Sequence, residues 1–305
     1  MPKRDLLSMA DLTPQEVSAV LERAIQMKRG DAARPLAGKM VALLFEKPSL
    51  RTRASFDVGV HQLGGHAFYI GPQEVGLGVR EPVADVARVL TRYVDGVVAR
   101  VFAQPNLEEM ARYATVPVIN ALSDWEHPCQ TLADLLTVYE KKGRLEGVRI
   151  AFVGDGNNVA RSLALGAALV GACLTIASPP KYTLDDASLL RARELAKGTA
   201  AEISTTHEPR EAAKDADVVY TDVWASMGQE EEARQRLRAF KGFQVDSQLM
   251  RLARRDAVFM HDLPAHRGEE VTNEVIEGPR SVAFDQAENR LHAQKAIMEF
   301  LLGGR

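Results

Sequence analysis

Residues 45–56, FEKPSLRTRASF, gather two guanidinium groups and three hydroxyls at the start of a helix. An apolar run ends at Phe45, the chain breaks at Pro48, and Ser49 suits the cap position, where its hydroxyl accepts an orphan backbone N–H. Arg51, Thr52 and Arg53 then fall in the first turn. Cations there oppose the partial positive charge of the helix N-terminus, so the arrangement calls for an anion. N–H groups, hydroxyls and guanidinium forks aimed at one point make a phosphate site. A basic helix start solvated at the surface is the plainer alternative. It leaves unexplained why Glu46, Lys47, Ser49, Arg51, Thr52 and Arg53 crowd a segment flanked by core-like residues.

Three more constellations lie at strand ends, where loops carry function. In His127-Pro128-Cys129-Gln130 the proline suits the first helical position, which puts His127 at the cap and Gln130 in the first turn. Imidazole and amide could then both donate to one carbonyl oxygen; a capping histidine with no ligand would read the same. Asp222-Val223-Trp224-Ala225-Ser226-Met227-Gly228 sends a carboxylate off a strand into a Ser-Met-Gly loop able to hold the ammonium and carboxylate of an amino acid. An ordinary strand-to-helix turn is the alternative. Between His261 and Glu270, two histidines and several acids could suggest a metal. The spacing of His261, Asp262 and His266 matches no ligand template, and no metal is expected.

Alternating strands and helices must position these groups. A capping box of Thr13 and Glu16 with Pro14 opens a helix running to about residue 30. Strands are expected over 39–45, 66–70, 96–102 and 116–122, with a glycine-rich loop at 71–80. The helix opened by Glu81-Pro82 should bury Val86, Val89, Leu90 and Tyr93, and the one after Pro128 should bury Leu132, Leu135, Leu136 and Tyr139. A second series follows, with strands over 148–153, 173–178, 202–206, 218–223 and 257–263 and a long final helix over 285–302. The fold class is α/β, with two parallel sheets flanked by helices. Ligands in such sheets sit beyond the carboxyl ends of the strands, where Arg100, the loop after Phe45 and the residues after Leu122 all lie. Gly154-Asp155-Gly156 begins like a dinucleotide fingerprint, but Val159 stands where its third glycine belongs and no acid ends the next strand. A NAD-dependent dehydrogenase survives only as the remaining alternative.

Length and composition bound the rest. A chain of 305 residues exceeds the usual single core, so two domains are expected. A net charge of −3 gives no overall pull toward nucleic acid or membrane, so an anion site must be local. Two cysteines, Cys129 and Cys173, imply no disulfide framework, and the absence of an apolar leader or spanning segment points to the cytosol.

Taken together, these segments resemble the carbamoyltransferase family, on its ornithine-using branch. FEKPSLRTRASF is similar to its carbamoyl-phosphate loop, VARVF and HPCQTLADLLT to its carbonyl-binding pair, and GDGNNVARSL to its amino-acid side. DVWASMGQEEE resembles the SMG loop, HDLPAHRGEEV the HCLP segment and AENRLHAQKA the returning helix. The match runs over nearly the whole chain, with these seven segments in the family's order.

The resemblance implies transfer of a carbamoyl group from carbamoyl phosphate to the side-chain amine of L-ornithine, giving citrulline and phosphate, without a cofactor and usually in trimers. It divides the chain into a carbamoyl-phosphate domain, 1–138 completed by the final helix at 286–305, and an ornithine domain, 139–285. Ser49, Leu50, Arg51 and Thr52 would cradle the phosphate, and Arg100, His127 and Gln130 would grip the carbamoyl end. Asn158, Asp222, Ser226 and Met227 would hold ornithine, while Asp262, Leu263 and Arg290 would complete the site. Charge building on the carbonyl oxygen during amine attack needs fixed donors, for which Arg100, His127 and Thr52 are the expected ones. Asp262 stands where the family usually has cysteine, and Gly76 where many bacterial relatives carry a glutamine that reaches a neighbouring subunit. Aspartate or putrescine as acceptor, or a weakly catalytic carbamoyl-phosphate-binding protein, are the alternatives.

Overall fold

Short apolar runs, each closed by a turn and followed by a helix, form two all-parallel sheets in the computed structural model, which describes residues 3–31, 33–225 and 232–303. The chain forms two compact units, one running to Leu136 and resuming at Glu288, the other spanning Thr137–Ala287.

In the first unit the elements run α1 (Pro14–Lys28), β1 (Met40–Phe45), α2 (Leu50–Gln62), β2 (His66–Ile70), α3 (Pro72–Val75), α4 (Val83–Leu90), β3 (Gly96–Arg100), α5 (Gln104–Tyr113) and β4 (Val118–Leu122). The sheet order is β2-β1-β3-β4. Thr13 and Glu16 form the expected capping box at α1. Gly76 ends α3 at φ +47°, a left-handed conformation that glycine adopts without cost.

In one helix the pattern holds only in part: Leu90 is buried and Val86 packs against the core as expected. Val83, Ala84, Ala87 and Leu90 of α4 are buried, whereas Val89 is 50% and Tyr93 70% exposed. Val83, Ala87 and Leu90 form one apolar stripe, and the small side chain of Ala87 lets α4 lie close to Ala42, Leu44, Val97 and Ala99 of the sheet.

Helix α6 (Pro128–Lys142) carries the chain from one unit into the next, where β5 (Arg149–Val153), α7 (Asn158–Val170), β6 (Cys173–Ala177), α8 (Asp186–Leu195), β7 (Ile203–Thr206), α9 (Pro209–Ala213), β8 (Val218–Thr221), α10 (Ala233–Ala239), α11 (Ser247–Met250), β9 (Val258–His261) and α12 (Asn273–Ile276) follow. This sheet has the order β7-β6-β5-β8-β9. Every position of α6 from Pro128 to Val138 is buried, so it has no single apolar face, and Tyr139 is 42% exposed. The last helix, α13 (Ala283–Leu302), returns its later turns to the first unit: Leu291, Lys295 and Met298 pack over Gly59, and Arg23 Nε pairs with Glu299 at 2.7 Å. No helix among the described residues is long and apolar enough to cross a membrane.

Candidate functional site

The first sheet changes winding direction between β1 and β3, which are adjacent although β2 lies between them in sequence. A crevice for ligands opens at such a switch point, beyond the carboxyl ends of the strands. Phe45 and Arg100 are paired in register there, and a bulge at Ala99/Arg100 sets Arg100 opposite Leu122. The backbone N–H of Glu46 donates to Arg100 O at 2.8 Å, which ties the loop before α2 to the end of β3.

Ser49 caps α2 as expected, its hydroxyl accepting the Thr52 N–H at 3.3 Å. Thr52 Oγ1, fully buried, accepts from Ser49 Oγ at 3.0 Å and from Arg290 Nη2 at 2.5 Å. Both its lone pairs are thereby used, which leaves the hydroxyl hydrogen as the group it can offer a ligand. Arg51 Nε is buried and has no hydrogen-bond partner among the described residues. The Leu50 side chain is 82% exposed, so only its backbone can serve the helix terminus. Arg53 lies over the Tyr69 ring at 4.0 Å from the centroid; an aromatic face, not an anion, accommodates this second arginine.

Arg100, His127, Gln130 and Arg290 are all buried. Burial, and then the charges of Arg290, Arg100 and Lys47, hold the His127 imidazole well below its ordinary pKa, so it is neutral and offers a single N–H. Lys47 itself is lowered to about 8, first by burial and then by Arg100, with Asp124 and Glu46 opposing. Gln130 departs from the expected donor role. Its Nε2 donates to Asp134 Oδ1 at 2.8 Å, and its Oε1 is buried without a hydrogen-bond partner among the described residues. Lys47 belongs to the crowded polar segment without a role of its own in the sequence, and Asp134 lies within a helix whose legible feature is its apolar residues.

The second sheet has its own switch point, between β5 and β8. Asp222 follows β8, and its carboxylate accepts from Asn157 Nδ2 at 2.8 Å and Val223 N at 2.6 Å. Asn157 also caps α7, its Oδ1 accepting from Val159 N and Ala160 N, while Asn158 is the first helical residue. Gly156 has a packing cause: a Cβ there would lie 2.2 Å from Leu184 N. Arg236 Nη1 donates to Asp155 at 2.6 Å and to the Trp224 carbonyl at 2.9 Å, and burial raises the Asp155 pKa against that pairing. Asp155 and Asn157 lie in a segment the sequence marks, but their pairing with Asp222 and Arg236 is not legible there, since only the fold brings residues 155, 157, 222 and 236 together. Ser226 and Met227 lie outside the described residues.

After β9 the chain makes a strained turn, with Leu263 at φ +61°, a conformation that is costly for a branched residue and concentrates at functional sites. His261 braces it. Its Nδ1 accepts the Leu263 N–H at 2.9 Å, which fixes the proton on Nε2 for donation to Glu270 Oε1 at 3.1 Å. Asp262 Oδ1 lies 3.6 Å from the same Nδ1, which has no proton to share with it. Among the described residues His266, Glu269 and Glu270 bring possible ligand atoms within 4.8 Å of one another. Glu270 Oε1 is already engaged by His261 and by His266 N, and these contacts hold the turn.

Two doubly wound α/β units, one with buried cations around a capped helix terminus and one with a carboxylate beside an asparagine, define a protein built for an anionic small molecule and a polar second ligand. The chain belongs to the aspartate/ornithine carbamoyltransferase family: the family's carbamoyl-P binding domain matches residues 4–140 and its Asp/Orn binding domain residues 146–301. An ornithine carbamoyltransferase of Thermococcus kodakarensis is 52% identical over 305 residues, covering 99% of this chain and 97% of its own. An anabolic ornithine carbamoyltransferase of Pyrococcus furiosus is 51% identical, with 99% and 97% covered. The solved structure of ornithine carbamoyltransferase from Pyrococcus furiosus superposes with a TM-score of 0.96 at 51% identity, covering 100% of this chain and 98% of the other.

Proposed function

We propose that this chain transfers the carbamoyl group of carbamoyl phosphate to the side-chain amine of L-ornithine, releasing citrulline and phosphate, a step of arginine biosynthesis. The observation that carries the reading is Thr52 Oγ1, saturated as an acceptor by Ser49 and Arg290 so that its hydroxyl can only donate, at a helix terminus beside Arg51. Ser49, Leu50, Arg51 and Thr52 receive the phosphate through N–H, hydroxyl and guanidinium donors. Thr52, Arg100 and neutral His127 stabilise the charge that grows on the carbonyl oxygen as the amine attacks. As the C–O bond breaks, the proton of the attacking nitrogen passes to the departing phosphate, which leaves as hydrogen phosphate with its charge stabilised by the same donors and Arg290, so no enzyme acid is called for. Asp222, held by Asn157, with Asn158, Ser226 and Met227, receives the amino acid, and Asp262 and Leu263 contribute from the turn after β9. Binding and orienting two substrates is then most of the catalysis.

No metal or cofactor has a step in this scheme. The two free cysteines, Cys129 and Cys173, support a cytosolic setting, and a homotrimer is the proposed assembly. Incubation with carbamoyl phosphate and ornithine, aspartate or putrescine in parallel tests the reading. Citrulline from ornithine is expected; product from either other amine alone overturns it.

A further inference from the structure

Glu270 follows β9 with its carboxylate only half engaged. Its Oε1 accepts from His261 Nε2 at 3.1 Å and from the His266 backbone N–H. Its Oε2 is also buried but has no hydrogen-bond partner among the described residues, and the side chain as a whole is out of solvent. A buried carboxylate oxygen left in this way is costly and asks for a donor or a cation. His266 Nδ1 stands 4.0 Å from Glu270 Oε2, beyond hydrogen-bond reach, and 3.7 Å from Glu269 Oε2. The ligand atoms of all three residues lie within 4.8 Å of one another. Arg267, between them in the sequence, pairs with Glu277 at 2.5 Å instead.

One imidazole nitrogen with two carboxylate oxygens suits a late first-row divalent cation such as Zn²⁺, whereas Ca²⁺ and Mg²⁺ take oxygen ligands alone. Ligands at about 2.0–2.2 Å in a tetrahedral array stand about 3.4 Å apart, so the present 3.7 and 4.0 Å need to contract by about 0.3 and 0.6 Å. His266 is exposed and Glu269 half-buried, so both can swing inward and leave a fourth position open to water. Glu270 is the fixed member, since the hydrogen bond from His261 is the outer contact that orients a ligating carboxylate. The backbone beneath is held as well. Gln244 Nε2 donates to the Gly268 and Glu269 carbonyls at 2.8 and 2.7 Å, and Val245 N donates to the Glu270 carbonyl at 2.8 Å. The spacing of His261, Asp262 and His266 fits no ligand template because only His266 belongs to this set.

We propose that His266, Glu269 and Glu270 bind one Zn²⁺ or a similar transition-metal cation, which braces the turn after β9 and takes no step in carbamoyl transfer. The bracing runs through Glu270 to His261, whose Nδ1 accepts the Leu263 N–H at 2.9 Å, so a cation fixed on Glu270 stiffens the segment that bears Asp262 and Leu263. The site stands apart from the carbamoyl-phosphate reading and does not depend on it.

The test is calorimetric titration of the full-length protein, freed of metal by EDTA and dialysed, with ZnCl2, and with MgCl2 and CaCl2 for comparison. Hydrogen exchange over residues 261–270 accompanies it. One Zn²⁺ per chain should bind, with Mg²⁺ and Ca²⁺ at least about a hundredfold weaker. His266→Ala and Glu269→Ala should each weaken zinc binding by about tenfold or more. Both leave the buried Glu270 contacts in place, so the test needs no substitution in the core. Zinc should slow exchange of the Leu263 amide in the parent and leave it unchanged in His266→Ala. No zinc binding by the parent, or undiminished binding in either variant, overturns the site. Zinc binding that leaves Leu263 exchange unchanged in the parent overturns the bracing.

Discussion

Arg290 Nη2 donates to Thr52 Oγ1 at 2.5 Å, joining the last helix to the first turn of α2 across 238 residues of sequence. A hydrogen bond from a charged donor to a buried acceptor contributes about 1.5–3 kcal/mol. Thr52→Val preserves shape and removes the oxygen, so it should lower unfolding stability by about that amount and raise the KM for carbamoyl phosphate. Thr52→Ser keeps the oxygen and gives up one methyl, about 0.8 kcal/mol. Urea denaturation of the two variants checks the difference, and equal stabilities would show that the contact contributes nothing.

His127 is held neutral by burial and by the charges of Arg290, Arg100 and Lys47. Its folded pKa lies well below the ordinary 6.5, so under pH 6.5 the unfolded chain binds a proton that the folded chain does not. Stability therefore falls on acidification, and His127→Leu should remove up to about 1.4 kcal/mol per pH unit of that slope. The same variant loses a donor to the carbonyl oxygen and should lower kcat by about 10²–10³-fold. Denaturation at pH 7, 6 and 5, beside steady-state kinetics, separates the two effects. An unchanged acid slope would mean that the imidazole is charged in the fold.

Lys47 has a pKa of about 8, and its ammonium stands 4.9 Å from the Phe102 ring centroid. Between pH 8 and its ordinary 10.5 the folded protein holds the lysine neutral while the unfolded chain holds it charged, so stability gains from this group as pH rises through that window. A bound phosphate dianion has the opposite pull and restores the proton. Carbamoyl-phosphate affinity should therefore weaken above pH 8, with proton uptake on binding. Titration at pH 8.5 in buffers of different ionisation enthalpy reads the uptake directly, and Lys47→Met should abolish it. No buffer dependence in the wild type would exclude Lys47 from the site.

Much of the architecture was legible because strands and helices alternate with clear punctuation, and caps such as Thr13 and Ser49 fall where the sequence puts them. What stayed hidden has one cause, the choice among several chemically similar options that only packing makes. Apolar Val86 and Val89 flank the buried stripe of α4, so its pattern did not say that Ala87 and not Val89 meets the sheet. Gly156 marks a close approach of backbone to residues 183–184; Val159 in place of a third glycine argues against a nucleotide loop, but no local pattern names the segment that Gly156 meets. For Gln130 the residue was readable and its direction was not, since an amide both donates and accepts until Asp134 orients it. Arg53 likewise looked like Arg51 until Tyr69 came beneath it.

Asp262 follows a histidine whose Nδ1, 3.6 Å away, is already an acceptor for Leu263 N–H, so His261 does not neutralise the carboxylate. The ornithine amine must lose its proton before it attacks. An ionised carboxylate about 4 Å from an ammonium favours the charged form by roughly 4 kcal/mol at an effective dielectric near 20, and this opposes reaction. Asp262→Cys removes that charge and restores the residue usual in the family, so kcat/KM for ornithine should rise by about tenfold or more, with the gain largest near neutral pH, where the amine is protonated. Kinetics of parent and variant from pH 6.5 to 9.5 check this. An unchanged or lower kcat/KM in the cysteine variant would reverse the assignment, because a carboxylate that helps at this position must be the base that takes the proton from the amine.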